Sequence, residues 1–289
     1  MRFRNTALAL AVGSAVLGTA TLPAAAQPGM PPPPAPGRHR AAPQTPVAAA
    51  ALLARVEHCA QISRGRYATD RGRPANIPVC EHDGAVFWQA DMDIDCDGRR
   101  TARCNRATDP SYQGTTAFAQ SDGQYLDAEK LPFVVVPAPS RTWDYRSSGV
   151  RGGSAAAMIH DGKVVYGVVG DTGPSGIIGE ASYAAAEALG IDPDPARGGV
   201  SSGVTYILFK DSKVTPIESH AAAVERGEEL ARRFVAAGAG RAGAADRAEA
   251  PAGTGGATAA GGLIGASGGG EAEGAVPALP ADRADGAGR

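Results

Sequence analysis

Residues 163–191 read K-V-V-Y-G-V-V-G-D-T-G-P-S-G-I-I-G-E-A-S-Y-A-A-A-E-A-L-G-I and carry the two side chains best suited to chemistry. A β-branched run ends at Gly170, and Asp171 stands at the strand's end. A glycine-rich loop follows, and Glu180 is presented just before a helix of small residues. Two carboxylates on short turns at the edges of regular elements can line one groove. An Asp/Glu pair flanking a cleft is what acid/base hydrolysis of a glycosidic bond requires. The same residues also have a purely structural use. Asp-Thr-Gly is a common turn, and a Glu near the first turn of a helix is favoured by the helix dipole.

Together with three upstream pieces, this segment resembles the glycoside hydrolase family 75 chitosanases. The pieces are D-M-D-I-D-C-D-G at 91–98, T-D-P-S-Y-Q at 108–113 and L-P-F-V-V-V-P at 131–137, and the likeness spans residues 56–217. The resemblance implies a catalytic Asp and Glu, which fall on Asp171 and Glu180, and a reaction that inverts the anomeric carbon. Inversion needs a protonated acid on the leaving oxygen and a carboxylate base on the opposite face, about 6.5–9.5 Å apart. Glu180 is assigned as the acid, because Glu titrates above Asp and the neighbours Ile177, Ile178 and Ala181 disfavour its charge. Asp171, beside Thr172 and loop amides, is assigned as the base.

Asp91, Asp93, Asp95 and Asp97 alternate with Met92, Ile94 and Cys96, which on a strand gathers the acids on one face. Asp93 and Asp95 are therefore candidates to pair with glucosamine ammonium groups, against the plainer reading of turn acids satisfied by backbone amides. Asp93-x-Asp95-x-Asp97-Gly98 also opens like a calcium loop. Position twelve is Cys104, where a bidentate Glu is required, so no metal is expected. Among the large aromatics Trp88, Tyr112, Trp143 and Tyr145, we take Tyr112 and Trp143 as candidates to stack on sugar rings. Ser111 and Ser201-Ser202-Gly203 have no His/Asp partner at a recognisable motif spacing, which argues against a serine hydrolase.

The elements that must position these residues are short and mostly β. Runs at 85–95, 133–136, 155–160, 163–169 and 204–210 are strand-like, and Asp161-Gly162 marks a hairpin. Residues 183–189 form a short helix between the cap Ser182 and the terminator Gly190. Helices are also expected over 47–62 and 219–235. The expected fold is a mainly β, small β-barrel with a few short helices, and the double-psi barrel of other glycan-acting enzymes is its architectural analogue.

Outside that domain, Arg2, Arg4, an apolar run at 7–17 and Ala24-Ala25-Ala26 read as a secretory signal peptide, residues 1–26, too short to span a bilayer. Residues 27–46 are a proline-rich linker, 47–235 the catalytic domain, and 236–289 an Ala/Gly-rich tail expected to be disordered. Export makes Cys59, Cys80, Cys96 and Cys104 disulfide candidates. Three pairings are open; Cys59–Cys80 with Cys96–Cys104 is the simplest. Zinc is disfavoured because C-x-x-C spacing is absent.

The net charge of −2, with a slight acidic excess over residues 50–219, argues against nucleic acid and suits a cationic polysaccharide. The chain is thus expected to be a secreted, monomeric endo-chitosanase acting on chitosan without a cofactor or a membrane. The rival readings are a non-catalytic polysaccharide- or cell-wall-binding module and a peptidoglycan-acting enzyme on a related barrel.

Overall fold

A strand that changes which way its side chains face, midway along its length, sets the geometry of this domain. In the computed structural model, which describes residues 45–249 and their side chains as far as 238, the strand β6 (Lys163–Gly173) runs through two partners. Against β4 (Phe133–Pro137) its pairing steps from Val134↔Val169 to Val135↔Asp171, leaving Gly170 unpaired in a bulge. A bulge of one residue reverses the pleat beyond it, so Asp171 shares the face of Val135 instead of the face of Val169. Gly170 is required there, since a Cβ would lie 2.5 Å from the Phe133 ring.

The remaining strands close around this pair. β3 (Ala85–Asp95) pairs in parallel with β7 (Glu180–Ser182), which pairs antiparallel with β4. On the far side, β6 pairs antiparallel with β5 (Ala155–His160), β5 with β8 (Val200–Phe209), and β8 returns to β3. The result is a closed six-stranded barrel, with β1 (Ala60–Gln61) and β2 (Cys80–His82) extending it beside β3. The expected mainly β barrel is the fold observed.

Local chemistry explains the turns. Asp161-Gly162 links β5 to β6 with φ of 46° and 75°, the left-handed pair that a two-residue hairpin needs. Asp83-Gly84 does the same between β2 and β3, a hairpin equally readable from the sequence.

Two apolar layers follow the alternation. On one sheet face Trp88 stacks on Tyr206 at 5.3 Å, with Met158, Val134, Val136 and Ala181 around them. On the other, Phe87, Phe133, Val135 and Phe209 meet Leu52 of the helix α1 (Ala49–Leu53) and Phe234 of α3 (His220–Glu249). Because helices cover this second face, it is the outside of the barrel. Val135 and Asp171 therefore lie on the outer face of the barrel, where both are buried.

The helix α2 (Tyr183–Leu189) has the expected ends. Ser182 accepts from the Ala185 amide, and Gly190 closes the helix at φ 81°. The helix expected over 47–62 stops at Leu53, because Cys59 is bridged to Cys80 and Ala60–Gln61 are taken into the sheet. Tertiary pairing overrides the helical pattern there. At the other end α3 continues past Val235 to Glu249. The signal peptide, most of the linker and the tail beyond 249 lie outside the described residues.

Candidate active site

Four strands lay four residues side by side on the outer face. Asp93 of β3 is the register partner of Glu180 of β7, Glu180 of Val135 in β4, and Val135 of Asp171 in β6. Asp171 and Glu180 are thus two interstrand steps apart, which separates their backbones by about 10 Å. Val135 stands between them in the row. Glu180 Oε2 reaches toward Gly173, where a Cβ would stand 3.0 Å from it, and Gly173 lies two residues beyond Asp171. The absence of a side chain at Gly173 keeps this gap open.

The two carboxyls have different surroundings. Asp171 is only 6 % exposed, and its Oδ1 accepts from the amides of Ala117 and Thr172, both at 2.7 Å. Burial raises its pKa, and the two amide bonds oppose that rise by stabilising the anion. Glu180 is half-buried, and its pKa is pushed up to about 8, first by desolvation and then by Asp93, Asp97, Asp171 and Asp109. At neutral pH Glu180 therefore holds its proton.

These acids belong to a larger anionic cluster. Asp93, Asp95, Asp97, Asp109 and Glu180 line a cavity of about 470 Å³ closed on one side by Pro195, Ala196 and Arg197. Asp171 is not part of that wall. It joins the cluster from behind, with oxygens of Asp95, Asp97 and Asp171 within 4.8 Å of one another. Asp95 is buried, accepts from the Asp97 amide at 2.6 Å, and is pushed well above the usual carboxylate range by desolvation and then by Glu180, Asp171 and Asp97. Asp97 accepts from the Gln113 amide and sits at about 6, raised chiefly by burial. Like charges this close share protons.

Among the described residues no cation forms an ion pair with any of these six carboxyls; Arg197 at the rim is paired with Asp194 at 2.9 Å. The trio Asp95, Asp97 and Asp171 has the donor type for a hard cation, although the twelve-residue calcium loop fails at Cys104.

Loop contacts explain why separate sequence pieces meet. The Tyr112 hydroxyl donates to Gly98 O at 2.8 Å and the Gly98 amide to Gln113 O at 2.9 Å, which clasps 108–113 against the end of β3. The Cys96–Cys104 bridge closes the loop between them, and Cys59–Cys80 forms as the simplest pairing expected. Behind Glu180, Gly179 takes φ 118° because Asp91 fills the space a Cβ would need.

Asp93 and Asp95 thus lie at the cavity, whereas the two aromatic candidates require correction. Trp143 is 4 % exposed, donates from Nε1 to Ser148 Oγ at 2.9 Å, and packs edge-on against Trp88 and Tyr145. It is core, because its indole N–H finds a buried partner and its faces find other rings. Tyr112 is also buried, with its hydroxyl committed to the Gly98 carbonyl, so it braces the loop and offers no open face. The sequence reading gave Asp109 no role at the cavity; its position in T-D-P-S-Y-Q was the available signal.

A model of the fungal chitosanases of glycosyl hydrolase group 75 matches residues 92–238, half of the chain and every member of the acid row. The chain belongs to this family. It is 31 % identical over 153 residues to an endo-chitosanase B of Aspergillus oryzae (strain ATCC 42149 / RIB 40), covering 47 % of this chain and 64 % of that protein. An Aspergillus fumigatus endo-chitosanase is 35 % identical over 36 % of this chain and 48 % of its own length. An Aspergillus oryzae endo-chitosanase C is 33 % identical over 45 % of this chain and 33 % of its own. The chain therefore spans less than two thirds of these relatives.

Proposed function

We propose that the protein is a secreted endo-chitosanase that hydrolyses β-1,4 bonds between glucosamine units by inversion. The observation that supports this reading is a carboxyl kept protonated at neutral pH, Glu180, on the wall of a cavity whose acids have no ion-pair partner among the described residues, with a second carboxyl fixed by two amides, Asp171, two strands away behind that wall. Glu180 gives its proton to the leaving oxygen as the C1–O bond breaks. Asp171 takes a proton from the water whose oxygen bonds to C1 from the other side. Inversion needs about 6.5–9.5 Å between the two carboxyl groups, room for one water, and Glu180 and Asp171, on strands whose backbones stand about 10 Å apart, are taken to hold that spacing.

Asp93, Asp95 and Asp97 supply the field for a polymer of ammonium groups. Asp93, which lies in the exposed part of the row, is the direct contact. Export is supported by the basic and apolar N-terminal pattern and by two disulfides, which persist in oxidising compartments. No helix among the described residues is long and apolar enough to cross a membrane.

Purified Asp171→Asn and Glu180→Gln, assayed for reducing ends from soluble chitosan, are expected to lose nearly all turnover. Thin-layer chromatography of digests of chitosan, chitin and cell wall is expected to show oligomers from chitosan. Wild-type binding to chitosan without oligomer release would leave only a binding module, and products from cell wall alone would indicate a peptidoglycan enzyme.

A further inference from the structure

The Asp171 carboxyl is held by one amide that comes with its own strand and by one that does not. Thr172, the next residue of β6, donates to Oδ1 at 2.7 Å, and so does Ala117, 54 positions earlier in the chain. Each bond stabilises the anion against the burial that disfavours it. The strand fixes the Thr172 bond, but the Ala117 bond depends on a loop. Residues 96–132 cross from β3 to β4 with isolated bridges in place of a continuous ladder, and Ala117 itself is exposed.

Thr116 fixes that loop beside the amide. It is 6 % exposed, although its neighbours Thr115 and Ala117 face solvent. Its hydroxyl donates to Phe118 O at 2.7 Å, which bridges over Ala117, and the same oxygen accepts from the Leu126 amide at 3.1 Å. Leu126 O in turn accepts from the Arg99 amide at 2.8 Å. The Thr116 methyl lies against Gly98, where a Cβ would stand 3.0 Å from it, and Gly98 follows Asp97 of the cavity wall. One buried hydroxyl thus sets the local turn and ties it to the end of β3. A valine at this position has nearly the same shape and can make neither bond.

We propose that Thr116 is a positioning residue for the base: its hydroxyl aims the Ala117 amide at Asp171 and so fixes that carboxylate as the acceptor of the water's proton. The inference rests on the chitosanase reading above, with Asp171 as base. Thr116 acts through the Ala117 peptide and not on the sugar.

The test compares two pairs that differ by the hydroxyl, wild type with Thr116→Val and Thr116→Ser with Thr116→Ala. Each protein is assayed for kcat/KM on the glucosamine hexamer across the acid limb of the pH profile, and Asp171 is titrated in it by carboxyl-carbon NMR. Loss of the hydroxyl is expected to move both the limb and the titration to higher pH by about one unit, the scale of a hydrogen bond to a charged group. On the limb, kcat/KM then falls about tenfold. The serine variant is expected to match wild type, and the serine–alanine pair carries the comparison if the valine variant does not fold. A Thr116 with only a structural role would lower Tm and leave both readouts where they are. Either readout unmoved without the hydroxyl, or moved as far in the serine variant, overturns the positioning role and leaves the chitosanase reading intact. Full activity in Asp171→Asn removes the base assignment, and the positioning role falls with it.

Discussion

Replacing Glu180 by Gln should make the protein inactive and, at alkaline pH, more stable. The carboxyl's pKa is raised from 4.5 to about 8 in the folded state, with desolvation as the largest cause and Asp93 and Asp97 next. A raised carboxyl pKa means that the folded protein binds the proton more tightly than the unfolded chain does. Wild-type stability from this group is therefore intact below about pH 4.5 and declines as pH rises toward 8. At 1.36 kcal/mol per unit, the ceiling on that decline is about 5 kcal/mol. Sharing of protons with Asp95 and Asp97 lowers the figure for one substitution to about 2–5 kcal/mol.

Gln keeps the shape and carries no charge, so it should not show this decline. Wild type and Glu180→Gln should melt together at pH 4 and diverge by pH 8.5. For a domain of this size each kcal/mol moves Tm by about 2–4 °C, which predicts a difference of about 4–20 °C in favour of the variant. Calorimetry at pH 4, 6 and 8.5 measures it. A variant no more stable than wild type at pH 8.5, or one equally stabilised at pH 4, would refute the claim that Glu180 is held protonated by its surroundings. The prediction is independent of any substrate.

Other consequences follow from the same geometry. Asp171→Asn and Glu180→Gln should each lower kcat on chitosan by about 10²–10⁴, the contribution of a positioned acid or base, with circular dichroism unchanged. Asp97→Asn should move the alkaline limb of the rate profile to lower pH, since Asp97 is among the charges that raise Glu180; an unmoved limb would mean another group sets it. Gly170→Ala forces a Cβ to 2.5 Å from the Phe133 ring and should destabilise by about 1–3 kcal/mol in urea titrations, with activity falling as the bulge that orients Asp171 is disturbed. Trp143→Phe should reduce stability by about 1 kcal/mol through loss of the Ser148 bond, and leave KM for chitosan unchanged.

The parts of this structure that were legible in the sequence are those set by short-range chemistry. Asp161-Gly162 admits only a few turns, Ser182 and Gly190 bound a helix by their own preferences, and four cysteines have few ways to pair. The proposed acid pair was picked out in the sequence by the resemblance of its glycine-rich segment to the family's active-site segment, more than by spacing alone.

What escaped reading depended on neighbours distant in sequence. Nothing near Gly170 announces a bulge; it exists because Phe133, 37 positions earlier, occupies the space, and that bulge alone turns Asp171 outward. Trp143 looked like a sugar platform until Ser148 and Trp88 were seen to use its polar and apolar parts. Residues 54–62 carry a helical pattern that the Cys59 bridge and the pairing of β1 override.

The central claim is that one water fits between Glu180 and Asp171 on opposite faces of a sugar linkage. The most direct measurement is the anomeric configuration of the first product, read by proton NMR in the opening minutes of hydrolysis of a glucosamine hexamer. The account predicts that the new reducing end appears as the α-anomer and only later equilibrates. Initial release of the β-anomer would contradict it, because retention requires a covalent intermediate and two carboxyls about 5 Å apart.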